Sequence, residues 1–239
     1  MRTVPESLIV PARFSGPPGA ANGGYMCGVV AGLLEAETAE VSLRSPAPLG
    51  RRLAVLRTGD AVAVSDEETL VAEGRPGDLD IDAPAPIPVP EARAAMLAGE
   101  GRWFAHHPFP GCVVCGPARA AGDGYRVFPG KVGEGLFAAV WEPDVSLAGE
   151  DGTVLPECVW AALDCPTAAP VATFGEGRPI VLARFTARLD GPVATGEEHV
   201  LLSWPLGRDG RKRHGACALY DSRGRLLATS RALWIELQP

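Results

Sequence analysis

The residues with the greatest capacity for chemistry fall in four short stretches. Asp164 lies in AALDCPTAAP, among apolar neighbours. A carboxylate buried there must find hydrogen-bond partners or a raised pKa, and a carboxyl tuned upward is what a general base needs near neutral pH. The bland alternative is that Asp164 marks a helix end or caps a turn before Pro166, whose missing N–H should bend or interrupt the backbone near Ala162. Asn22-Gly23-Gly24 stands at the head of an apolar run. Its glycines would let a carbonyl approach the free N–H groups of a helix N-terminus, with the amide of Gly24 or Tyr25 holding an oxyanion. Asn22 either holds water or carbonyl there, or caps the helix. Tyr25 reads as a core or pocket-lining residue.

The other two stretches are less committal. Cys112-x-x-Cys115, with His106 and His107 upstream, offers three or four nitrogen and sulfur ligands. A second cysteine pair is missing, so a buried, reduced turn is the default, structural zinc the alternative, and redox chemistry weaker still. No metal and no cofactor is expected. Arg211, Lys212 and Arg213 would either meet the phosphates of a ligand or form a solvated hairpin tip.

The elements that must position these residues repeat in order. Leu8–Phe14 reads as a strand, YMCGVVAGLLEAETA as a helix-length apolar run, and Val41–Pro46, Arg52–Thr58, Ala61–Ser65 and Thr69–Arg75 as strands. The same order returns with Gly135–Trp141, the run PECVWAALDCPTAAPVATF, and strands at Ile180–Leu189, His199–Leu206, His214–Asp221 and Arg225–Leu237. Such an order, twice over, is a repeat of topology. The first helix has no polar face before Glu35 and must be enclosed. An antiparallel sheet curled around one helix would enclose it; a generic α+β sandwich is the alternative. Residues 79–105, dense in Pro and Ala, read as a connection with a short helix at Glu91–Leu97.

The 239 residues allow one large domain or two small ones. Apolar residues at 46% indicate a real core, and a net charge of −7 disfavours nucleic acid or an anionic membrane as partner. With no span-length apolar run and no signal-like N-terminus, the expected location is the cytoplasm, with the six cysteines reduced and buried.

The stretch CVVCGPARAAGDGYRVF at Cys112–Phe128 resembles the C-x-x-C-G segment that precedes the first strand in many hot-dog thioesterases, including the phenylacetate-pathway type. The resemblance implies a His-Gly-Gly at the start of the central helix and an acid seven positions after the second glycine. Asp164 falls on the acid position, but Leu155, Pro156 and Glu157 replace His-Gly-Gly. The first half shows the reverse, since Asn22-Gly23-Gly24 resembles His-Gly-Gly while Ala31 stands at the acid position.

These readings converge on an α+β tandem double hot-dog, with an N-terminal unit at 1–78, a linker at 79–105 and a C-terminal unit at 106–239. One composite site between the halves would hydrolyse an acyl-CoA or other acyl thioester, with Asp164 as base or nucleophile, Asn22 and Gly24 beside it, and Gly23, Tyr25, Arg211, Lys212 and Arg213 binding substrate. A non-catalytic acyl- or lipid-binding protein is the alternative. An enoyl-CoA hydratase using Asp209 and His214 is weaker, because DGRKRH has the charge of a hairpin. Assembly into a homo-oligomer through sheet edges remains open.

Overall fold

The computed structural model describes residues 5–173 and 178–238. In chain order the elements are β1 (Ser7–Ile9), α1 (Gly23–Ala31), β2 (Thr38–Leu43), β3 (Arg52–Thr58), β4 (Ala61–Asp66), β5 (Thr69–Pro76), α2 (Val89–His106), β6 (Gly130–Gly133), β7 (Leu136–Trp141), α3 (Pro156–Ala168), β8 (Ile180–Leu189), β9 (His199–Asp209), β10 (Lys212–Tyr220) and β11 (Leu226–Glu236). The strands form one sheet in the order β1-β3-β4-β5-β2-β8-β11-β10-β9-β7-β6. The order of the first five strands recurs in mirror image as β8-β11-β10-β9-β7, each half having the topology strand, helix, four strands. The halves join where β2 pairs antiparallel with β8, Thr38 opposite Arg188 and Ser42 opposite Arg184. This is a double hot-dog in the α+β class.

The two end strands are three and four residues long. Short edges offer little ladder for a further strand to join.

The central helices α1 and α3 share one apolar core with the inner face of the sheet. They run antiparallel in close contact because α1 presents Gly24 and Gly28 to α3. A Cβ at Gly24 would lie 2.4 Å from Asp164 Cβ, and one at Gly28 would lie 2.6 Å from Glu157 Cα. α1 stops at Gly32, earlier than its apolar run suggests, and the chain is turning by Leu33–Leu34. α3 runs through Pro166 to Ala168, so the expected interruption near Ala162 is absent. Its last turn is held by Thr167 Oγ1, which donates to the Asp164 carbonyl at 2.6 Å and accepts from Trp234 Nε1 at 2.8 Å.

The Pro/Ala-rich stretch differs from expectation. Its prolines cluster at 84–90, and from Val89 onward the chain forms α2, a helix of 18 residues. Pro88 is the N-cap and Pro90 sits in the first turn, where a missing N–H costs nothing. α2 packs on the outer face of the second half, where Ala92 and Ala95 meet Ala138, Val140, Val200 and Leu202. Hence β7, LFAAVW, is apolar on both faces while β3, RLAVLRT, has one exposed face. The first expected strand is also shortened, because Leu8–Phe14 becomes β1 plus a 3-10 turn at Ala12–Phe14. Among the described residues no helix is long and apolar enough to cross a membrane. All six cysteines are buried thiols.

Candidate active site

Asp164 comes from the buried third turn of α3 and meets the N-terminus of α1 across the helix pair. Its Oδ2 accepts from the backbone N–H of Gly24 at 2.9 Å and from Asn22 Nδ2 at 3.0 Å. Its Oδ1 is buried without a hydrogen-bond partner among the described residues. Burial pushes the carboxyl up to about 7; the Gly24 amide opposes that shift, the nearby Cys112 adds to it, and Asn22 opposes it. One oxygen is therefore fixed by two donors and the other is left to act on something else.

Asn22 takes the capping role that the sequence offered and adds one that it did not. It caps α1, with Oδ1 accepting from Tyr25 N–H at 2.8 Å, and it turns Nδ2 toward Asp164. Only 2% of the residue is exposed, so both ends of the amide are committed. The amides of Gly24 and Tyr25, expected to hold a substrate oxyanion, are thus occupied by Asp164 and Asn22. The first helical N–H, that of Gly23, has no acceptor among the described residues.

Asn22, Gly23 and Asp164 line a cavity of about 580 Å³. Its walls are mainly apolar, with Met26, Leu43, Ile180, Leu182 and Trp234 among them, and Arg44 and Arg178 are its arginines. Arg44 is engaged with Glu73 at 2.7 Å. That volume suits a small-molecule ligand with an apolar portion.

Four expected substrate-binding positions lie elsewhere. Tyr25 points away from this cavity and stacks on Phe14, with ring centroids 3.8 Å apart. Arg211 and Lys212 are exposed at the β9–β10 hairpin, where Arg211 Nη1 donates to the Glu236 carbonyl at 3.1 Å. Arg213 is buried in an ion pair with Glu236. None of the four lines the cavity, and neither do Asp209 and His214. The arginine cluster followed the hairpin because alternate residues of a strand face opposite sides of the sheet.

At the opposite end of the helix pair the equivalent positions carry different residues. Leu155 occupies the N-cap of α3 and makes no side-chain cap, Pro156 follows it, and Ala31 stands where Asp164 stands in the other half.

Two features of the site were not anticipated from sequence. Gly28 sets the interhelix distance, and its spacing of four from Gly24 was the available signal. Cys165, next to Asp164, lies beside the Cys112–Cys115 turn, with Cys112 Sγ 3.7 Å from Cys165 Sγ. Nothing local in the sequence announces a contact between residues 53 apart.

The fold defined by these elements is the double hot-dog, and solved structures share it over nearly the whole chain. A tesB protein from Mycobacterium avium subspecies paratuberculosis is 14% identical, covering 96% of this chain and 91% of that one at a TM-score of 0.59. A candidate thioesterase II from Thermobifida fusca is 15% identical, covering 97% and 92% at a TM-score of 0.57. A hot-dog protein of unknown function from Alicyclobacillus acidocaldarius is 11% identical, covering 98% and 93% at 0.52. No protein-family model and no curated protein matches the sequence.

Proposed function

We propose that the chain hydrolyses acyl thioesters of the acyl-CoA type at one composite site, to which the halves 1–78 and 106–239 each contribute. The observation that carries this reading is the bond from Asp164 on α3 to Asn22 and Gly24 on α1, made at the wall of an apolar cavity. The Thermobifida fusca neighbour, which is similar over nearly the full chain, carries a thioesterase name, which agrees with it.

In this mechanism Asp164 Oδ1 takes a proton from a water that attacks the thioester carbonyl, while Asn22 and Gly24 hold Oδ2 still. The thioester carbonyl oxygen faces the Gly23 N–H at the start of α1, where the helix dipole favours developing negative charge. The acyl chain occupies the cavity between Leu43, Met26 and Leu182, and Arg178 receives part of the polar carrier. The tetrahedral intermediate then collapses with cleavage of the C–S bond, the proton held by Asp164 passes to the departing thiolate, and thiol and carboxylic acid leave.

One observation favours the second reading, a binder of acyl groups without turnover: two of the three amides that would polarise a carbonyl are already bonded within the protein. Turnover of a panel of acyl-CoA thioesters by the wild-type chain and by Asp164→Asn separates the two. Hydrolysis that disappears in the variant supports the enzyme. Saturable binding of an acyl-CoA with no turnover in either form rejects it.

A further inference from the structure

Three thiols that the hydrolytic mechanism does not use meet at the cavity wall. Cys112 Sγ is 3.6 Å from Cys115 Sγ and 3.7 Å from Cys165 Sγ, and all three sulfurs lie within 4.8 Å of one another. Zinc–thiolate bonds of about 2.3 Å in a tetrahedron place ligand sulfurs roughly 3.8 Å apart. The spacing already present is therefore close to that of a shared ion.

The surroundings supply donors to these sulfurs. Asn22 Nδ2 lies 3.8 Å from the sulfurs of both Cys112 and Cys165. His107 accepts the Phe109 N–H on Nδ1 at 2.9 Å, so a neutral ring carries its proton on Nε2, 3.1 Å from Cys115 Sγ. The turn that folds the two cysteines together requires glycine next. A Cβ at Gly116 would stand 2.4 Å from the carbonyl oxygens of Cys112 and Pro110. N–H donors beside sulfur suit thiolates held by a cation.

We propose that Cys112, Cys115 and Cys165 bind one zinc ion, with the fourth coordination position open to the cavity that all three residues line. Three thiolates select a borderline-soft ion over magnesium or calcium, which take oxygen ligands. His107 acts as a donor to the Cys115 sulfur in this arrangement. The sequence favoured a metal-free turn because the third cysteine comes from α3, not from a second local pair. The assignment does not rest on the hydrolase reading, since it concerns metal content alone.

Protein purified under thiol reductant without chelator, then analysed by elemental mass spectrometry, should hold one zinc per chain. After metal removal, cobalt(II) titration of the intact chain should give thiolate-to-cobalt charge-transfer absorption saturating at one equivalent, with intensity for three thiolates. Cys112→Ser and Cys165→Ser should each weaken zinc retention at least tenfold, whereas Cys27→Ser and Cys217→Ser should leave it unchanged. A wild-type chain with no zinc and no charge-transfer band overturns the proposal, whether or not the serine variants fold. So does a metal that stays fully bound after loss of Cys165, or iron or copper in place of zinc in the reduced protein.

Discussion

At the residue scale, the two oxygens of Asp164 have different fates. Oδ2 is satisfied by two N–H donors from the start of another helix, while Oδ1 is buried and has no partner among the described residues. An unpaired buried polar atom costs stability, and such costs persist where the atom has work to do. Asp164→Asn keeps the shape but cannot take a proton, so thioester turnover should fall about a thousandfold, in the range that general-base loss brings. A steady-state assay with a circular dichroism spectrum on the same sample checks this, and retained activity would remove Asp164 from the mechanism. A second residue makes stability depend on pH. His199 is buried, and burial holds its pKa below the usual 6.5. The unfolded chain thus binds the proton more readily, and stability falls as pH drops below about 6.5. Asp164, raised to about 7, works in the opposite direction over the same range, so the check is a difference: the urea midpoint of the wild type should fall relative to that of His199→Gln as pH drops.

At the element scale, the site exists because glycine lets two helices touch. Gly28 faces Glu157 and Trp160, and its Cβ would come within 2.8 Å of Trp160 Cβ as well as closer to the Glu157 backbone. Gly28→Ala should therefore cost about 1–3 kcal/mol through overpacking. In a chain of this size that is a fall of roughly 2–4 °C in Tm per kcal/mol, read by calorimetry. The same variant should lower activity, since pushing α1 from α3 lengthens the bonds to Asp164. α2 follows the same rule on the outer face, where Gly99 meets Gly130. Trp103 closes the contact, with Nε1 donating to the Pro129 carbonyl at 3.0 Å. Trp103→Ala should cost about 3–5 kcal/mol, because it empties a fully buried site and strands that carbonyl.

At the scale of the whole molecule, the halves are held by the β2–β8 ladder and by the α1–α3 contact, while the extended chain at 79–88 serves as the covalent tie. Separate halves would expose both the unpaired β2 and β8 edges and the apolar sides of their central helices. A protease site inserted between Asp80 and Ala83 and then cut should leave the two pieces together on gel filtration at native pH. Separation into independent monomers would show that the tie, not the interface, holds the protein together.

The repeated order of strand, helix and four strands was readable along the chain because each strand alternates or runs apolar over a length only a strand can use, with turn residues between. The burial of Asp164 was legible from its apolar neighbours, and the cap formed by Asn22 from its place before two glycines. Tertiary structure alone decided which backbone amides stay free, since Gly24 and Tyr25 N–H are used up by side chains that arrive through packing. It also decided that the arginines of the hairpin miss the cavity and that Cys165 joins Cys112 and Cys115. Periodicity encodes which face of an element is buried, but not which residue of a distant element it is buried against. That choice is made only when α1 and α3 close on each other across their glycines.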